Sequence, residues 1–183
     1  MKNITALLLL VLALLPGCLV LPEGDEPNLD TPRDTLKLLV EAYETRSDSL
    51  FDLTMDDDFI FFFDQKDHNR TVNGYHITGT WNLHEETQAT RNIFAAVSSI
   101  DLVLDLDSMA QFDAGSSSYD SDWMDYHLYL HYSDSSGSVA IGQTRFLLKN
   151  NGEDGWQIEQ WEDFYNTPGD ISWGYLKAWY RKD

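Results

Sequence analysis

The chain has a single cysteine, Cys18, and no apolar run long enough to cross a bilayer. A lone cysteine cannot form an internal disulfide, so a disulfide-stabilised scaffold is excluded. The longest apolar run, residues 6–15, falls short of the roughly 20 apolar residues that a spanning helix needs. The fold is therefore expected to depend on one packed core.

Basic residues are also scarce: 12 lysines and arginines stand against 31 acidic residues, which gives a formal net charge of −19. Such a chain repels nucleic acid phosphates and anionic lipid headgroups, so no nucleic acid partner is expected. The sequence has no G-x-S-x-G, H-E-x-x-H or phosphate-loop motif, and its acidic stretches lack the glycine and distal glutamate of a calcium loop. Neither a metal site nor a cofactor is predicted.

The N-terminal region is typical of an exported lipoprotein. Lys2 precedes the apolar run, and the run leads into "LLPGC", residues 14–18, which resembles a bacterial lipobox. The resemblance implies that residues 1–17 are a signal peptide and that Cys18 is lipidated. The protein is then anchored in the bacterial cell envelope, at the outer membrane or the cell surface. Residues 18–30 are proline-rich and acidic and predict a flexible tether.

Residues 31–183 have the length of one ordinary domain, and the domain opens with helix signals. Thr31 is a candidate N-cap before Pro32 at the first helical position. A short second helix is predicted after Ser47. Asn82, with Glu85 three residues later, predicts a capping box at the start of a third helix. The inward stripes of the first and third helices are Leu36, Leu39, Val40 and Tyr43, and Ala89, Ile93, Ala96 and Val97.

Strand patterns dominate the rest of the domain. A buried strand is predicted before a long loop at residues 64–81, and four more strands follow the third helix as an antiparallel meander, interrupted by a polar loop at 108–121. A short final helix is predicted at 172–180, docked through Trp173, Leu176 and Tyr180. Helices followed by a meander indicate the α+β class. The predicted strands are 56–63, 99–107, 123–132, 139–149 and 156–164.

Three short stretches, together with this order of elements, resemble a known group of proteins. "WEDF" at 161–164 followed by "SWGYLKAWY" at 172–180, together with "ATRNIF" at 89–94, resembles uncharacterised bacterial lipoproteins of the nuclear transport factor 2-like (NTF2-like, or SnoaL-like) superfamily. The resemblance implies three N-terminal helices packed on a strongly bent antiparallel sheet, which makes a cone, with a short C-terminal helix. It spans nearly all of residues 31–180 and implies little about activity.

The resemblance leaves three functions open. The leading hypothesis is a membrane-anchored, non-catalytic domain that binds a small ligand or a partner protein. The second is a small-molecule isomerase, hydratase or cyclase, which needs acid and base groups inside the cone; the candidates are Tyr43, Asp64 and His76. Ketosteroid isomerases resemble one another in a first-helix tyrosine and two aspartates, and only Asp64 falls near such a position here. The third is an accessory component of an envelope assembly.

The stretch "DYHLYLHY", residues 125–132, predicts a polar outer sheet face. Strand alternation places His127, Tyr129 and His131 on one side, and the preceding strand offers Asp101, Asp105 and Asp107 on the same side. Residues four apart on a strand lie about 13 Å from each other, so the two histidines cannot bind one metal ion. We predict instead a sheet-face contact at His127, Tyr129, His131, Asp101 and Asp105, which a homodimer could use.

Overall fold

The computed structural model describes residues 27–165, 167 and 169–181. Four α-helices are present in this part of the chain: α1 (Pro32–Thr45), α2 (Asp48–Thr54), α3 (Leu83–Ala96) and α4 (Trp173–Tyr180). Within the same residues, none of the helices has the length and apolar character needed to cross a membrane. The predicted signal peptide, Cys18 and most of the predicted tether lie outside the described residues.

Seven strands form the main sheet, in the order β4-β1-β9-β8-β7-β5, and β6 pairs with β8. All neighbours are antiparallel except β1 and β9, which run parallel. A separate hairpin, β2-β3, lies in the loop that was predicted at 64–81. The strands are β1 (Met55–Phe62), β2 (Thr71–Val72), β3 (Tyr75–His76), β4 (Thr80–Asn82), β5 (Ser99–Leu104), β6 (Ser118–Asp120), β7 (Met124–His131), β8 (Gly137–Asn150) and β9 (Trp156–Phe164).

The α+β class and the three N-terminal helices are confirmed. The meander β5-β7-β8-β9 follows the predicted order, while the three-residue strand β6 lies within the stretch predicted as a polar loop. The pairing shifts register between Leu147 and Leu148 of β8 and between Met55 and Ile60 of β1. Bulges of this kind bend and twist a sheet, which gives the sheet an inner face for the helices to cover.

The helix starts follow their local signals. The Thr31 side chain accepts the backbone N–H of Asp34, and Pro32 begins α1. Asn82 and Glu85 form a complete capping box at the start of α3. The predicted inward stripe of α3 is wrong at Ala96, which is exposed at the last residue of the helix, whereas Val97, the C-cap, is buried as predicted.

The packed domain already includes Leu29, which falls in the predicted tether. Leu29 is 9% exposed. Its carbonyl accepts the backbone N–H of Trp156 at 2.9 Å. A side chain at Gly155 would collide with Leu29, because a Cβ there would lie 2.6 Å from the Leu29 Cβ. The segment that enters the domain is therefore held at the turn between β8 and β9.

Candidate functional site

The inner face of the bent sheet is covered by protein, and α4 covers much of it. The Trp173 ring is fully buried, with its centroid 4.5 Å from that of Trp161 and 5.1 Å from that of Tyr43. Gly174 allows this close approach, since a Cβ at that position would lie 2.9 Å from atoms of Phe61 and Phe63. The cone interior is thus occupied by the C-terminal helix.

Two buried polar groups hold the first turn of α4. The backbone N–H of Gly174 donates to Asp163 Oδ2 at 2.5 Å, and the Tyr126 hydroxyl donates to Asp163 Oδ1 at 2.9 Å. The Tyr126 oxygen in turn accepts the backbone N–H of Trp173 at 2.7 Å. Burial raises the pKa of Asp163 to about 7, although these hydrogen bonds and Lys177 oppose the shift. Burial and the Asp163 carboxylate also raise the pKa of Tyr126.

The N-cap of α4 extends this polar layer to the loop after β1. Ser172 Oγ accepts the backbone N–H of Tyr175 at 2.9 Å and donates to Asp67 Oδ2 at 2.6 Å. Asp67 is fully buried and also accepts from Arg70 Nη1 at 2.6 Å. The Ser172 and Asp67 side chains are hydrogen-bonded to other groups of the protein. This polar layer therefore fixes α4 in place and offers neither an unpaired acid nor an unpaired base for catalysis.

A charged pair lies deeper in the cone, between α3 and α4. Lys177 Nζ donates to Glu86 Oε1 at 2.5 Å, and neither side chain has any exposed surface. The ammonium group lies over the Trp161 ring, 3.4 Å from its centroid, and 4.2 Å from that of Phe61. Burial raises the pKa of Glu86 and lowers that of Lys177, and the attraction between the two groups opposes both shifts.

The three predicted pocket residues occupy three separate settings. Tyr43 is buried against Phe51, Phe94 and Trp173, with its hydroxyl 3.3 Å from Thr90 Oγ1. Burial holds its pKa well above the usual value. Asp64 is also buried, but its carboxylate accepts the backbone N–H groups of Lys66 and Tyr165. His76 is exposed on the β2-β3 hairpin. The structure does not bring these three side chains together around a common space.

The outer sheet face brings most of its predicted residues together. β5, β7 and β8 place Asp101, Tyr129 and Val139 in one row, and Val103, His127 and Ile141 in another. His131 Nε2 lies 2.7 Å from Asp101 Oδ2. The His127 and Tyr129 rings are stacked with centroids 6.3 Å apart. This face also carries exposed apolar side chains, Val103 at 58% and Val139 at 40% exposure.

Asp107 lies away from that face, so the expected row of three aspartates is wrong at Asp107, while Asp105 is exposed and directly follows β5. β5 ends at Leu104, and the chain enters a 3₁₀ turn at Leu106–Ser108. The Asp105 backbone N–H still bonds to Asp125, but Asp107 lies 3.4 Å from Arg33 Nη1 instead of beside a histidine. Aspartate and leucine continue to alternate through this turn, so the strand pattern in the sequence continues three residues beyond Leu104, where β5 ends.

The remaining surface offers open grooves. One, with a volume of about 680 Å³, lies between β1 and the start of α3 and includes Asp57, Ile60 and His84. Among residues 27–165, 167 and 169–181, no three histidine, cysteine, aspartate or glutamate side chains are placed to hold one metal ion.

The interior charged pair, Glu86 and Lys177, is not among the site residues predicted from the sequence. Lys177 lies four residues after Trp173, and Glu86 lies three residues before Ala89, so both fall on helical stripes predicted to face inward. A charged residue at an inward position of each of two helices was the available signal. A charged side chain is almost never buried without a partner of opposite charge, so the two positions together indicate a buried ion pair.

The site and fold define a class: an α+β cone whose bent sheet is covered by helices on its inner face and whose interior is filled by a C-terminal helix. No protein-family model matches the sequence, and no curated protein matches it. Solved structures do match.

Three solved structures illustrate the likeness. A protein named as an aromatic ring hydroxylase of Novosphingobium aromaticivorans has a TM-score of 0.56 and 15% identity, over 74% of this chain and 87% of that one. An NTF2-like superfamily protein of Salmonella enterica has a TM-score of 0.53 and 13% identity, over 75% and 90%. A ketosteroid isomerase-like protein of Erwinia carotovora has a TM-score of 0.51 and 12% identity, over 73% and 92%. The fold is NTF2-like, as the resemblance implied.

Proposed function

We propose that this protein is an exported, lipid-anchored NTF2-like domain that binds a partner through its outer surface and does not catalyse a reaction within its cone. The observation that carries the proposal is the position of α4. Its Trp173 and Lys177 side chains fill the space where a substrate would have to lie. The Asp163 carboxylate is engaged with Tyr126 and Gly174, and one oxygen of the Glu86 carboxylate is engaged with Lys177.

The enzymatic alternative has less support in this geometry. The isomerase, hydratase or cyclase reaction needs an acid and a base that converge on one open space. Tyr43, Asp64 and His76 do not meet, and Asp64 is committed to two backbone N–H groups. NTF2-like proteins include isomerase-like and ring hydroxylase members. Their shared fold does not carry their activity to this chain.

Anchoring through Cys18 rests on the sequence "LLPGC" alone. Cys18→Ser should release the protein from the membrane fraction of the cells that make it, whereas the wild-type chain should stay there. Cys18 lies outside the described residues and the folded domain starts by Leu29, so the variant should have an unchanged melting temperature. Recovery of wild-type protein in the soluble exported fraction would contradict the anchor.

The outer sheet face is the surface that supports partner binding best, and a second copy of the chain is the simplest partner. Val103 and Val139 expose apolar surface there, flanked by His127, His131 and Asp101. Val103→Lys should weaken self-association about tenfold or more in sedimentation velocity, because the contact would bury an unpaired ammonium group. Leu53→Lys is a matched control, because Leu53 is 42% exposed on α2, away from this face. A wild-type chain that stays monomeric at high concentration, or equal effects of the two variants, would count against the dimer.

A further inference from the structure

The Glu86–Lys177 pair is poorly explained as an ordinary ion pair. Glu86 Oε1 accepts from Lys177, and Thr90 Oγ1 lies 3.4 Å from the same oxygen. Among the described residues, the other oxygen, Oε2, has no hydrogen-bond partner although it is fully buried. An unpaired carboxylate oxygen in a dry interior is strongly unfavourable. A chemical change that removes both charges and this oxygen would relieve that cost.

We propose that Lys177 and Glu86 react to form an intramolecular amide bond that joins α4 covalently to α3. The neutral Nζ attacks the Cδ of the protonated Glu86 carboxyl group, and a C–N bond forms. The bond between Cδ and Oε2 then breaks. Oε2 leaves as water with the carboxyl proton and one proton from the amine. The reaction is a condensation, so nothing is oxidised or reduced.

The geometry favours this reaction. Nζ lies 2.5 Å from Oε1, and the carboxyl carbon is one C–O bond of about 1.23 Å further, so the Nζ–Cδ distance is at most about 3.7 Å. Reacting atoms held near 3–3.5 Å gain effective molarities of roughly 10⁵–10⁸ M over the free groups. The Thr90 hydroxyl donates to Oε1, the atom that carries negative charge in the tetrahedral intermediate.

Burial shifts both groups toward the reactive protonation states. The aromatic rings of Phe61, Trp161 and Trp173 enclose the amine, and both side chains are fully buried. The neutral amine is the nucleophile and the neutral acid is the better electrophile. Desolvation lowers the pKa of Lys177 and raises that of Glu86, which favours both neutral forms, while their mutual attraction and nearby Asp163 favour the charged amine. Exclusion of water also protects the product from hydrolysis.

Peptide mapping of the full-length chain tests the proposal. Trypsin would release Glu86 in the peptide 71–91 and Lys177 in the peptide 150–177. With the amide in place, trypsin cannot cleave after Lys177. The expected product is therefore 71–91 linked to 150–181, lighter by one water than the two peptides together. Fragmentation of this product should place the link at Glu86 and Lys177.

The chain provides its own negative control. Lys149 Nζ lies 3.4 Å from Asp56 Oδ2, but its side chain is 39% exposed. Trypsin should therefore cleave after Lys149 as usual. Lys177→Arg keeps the positive charge without the reactive amine and should yield 71–91 as a free peptide. Recovery of free 71–91 and 150–177 from the wild-type chain, both fresh and after several days at neutral pH, would overturn the proposal and leave an ion pair only.

Discussion

Stability should fall as pH rises from about 4 to about 7, and Asp163 should be a main cause. Burial raises the pKa of this carboxyl group from its ordinary value of 3.8 to about 7. The folded state therefore binds the proton more tightly than the unfolded state does. In such a case the free energy of unfolding is highest below the unfolded pKa and decreases as pH rises through the folded one.

The magnitude follows from the two pKa values. Because each pKa unit corresponds to about 1.4 kcal/mol, the change from 3.8 to about 7 amounts to roughly 4 kcal/mol. This is a large part of the free energy of unfolding of a typical domain, which is about 5–15 kcal/mol. Asp56 and Asp120 have lowered pKa values, but their opposite effect is confined to pH values below about 4.

Asp163→Asn is the matched variant, because the amide is isosteric with the acid and stays neutral at every pH. Its oxygen can still accept from Tyr126, but its NH₂ group faces the Gly174 N–H, at a cost of about 1–3 kcal/mol. Urea unfolding between pH 4 and pH 8, followed by tryptophan fluorescence, should show the wild-type chain losing its advantage over the variant as pH rises. Glu86, Asp67 and Lys177 also influence this region, and they are common to both chains. Parallel curves for the two chains would refute the reasoning.

Two further outcomes are expected. Gly174→Ala should destabilise the domain by about 1–3 kcal/mol, because the new Cβ would lie 2.9 Å from atoms of Phe61 and Phe63. Gly115→Ala is the control and should have little effect, because its Cβ would meet nothing nearer than 3.5 Å. Equal melting temperatures of the two variants would contradict the close packing of α4. A strong chelator should leave the melting temperature unchanged, since no three ligating side chains converge in the part of the chain that the structure describes; a fall of several degrees would show that a bound cation contributes.

The sequence predicted elements whose causes are local. Thr31 and Asn82 mark helix starts through hydrogen bonds that span three residues, so pattern alone locates α1 and α3. Alternation likewise located the outer face of β7. It failed after Leu104, where a turn of alternating composition looks like a strand, and it missed β6, whose three residues are too few to show a period.

The candidate site was harder to predict, because its contacts join distant parts of the chain. Glu86 and Lys177 are 91 residues apart, and Tyr126 and Asp163 are 37 apart. The residue types of Tyr43, Asp64 and His76 suit acid and base roles, but nothing local indicates that α4 fills the space between the helices and the sheet. The parallel pairing of β1 with β9 is non-local in the same way.

The parallel pairing of β1 with β9 also limits how early in synthesis the sheet can be completed. β1 lies between β4 and β9 in the sheet. Its neighbour on the β9 side is therefore missing until residues 156–164 have been synthesised. Pairing at such sequence separation folds slowly, because a long loop must close first. We therefore expect β1 to lack its parallel neighbour until synthesis has passed residue 164. The export proposed above would then deliver an incomplete sheet to a machinery that threads unfolded chains, and the sheet would be completed only after β9 has crossed.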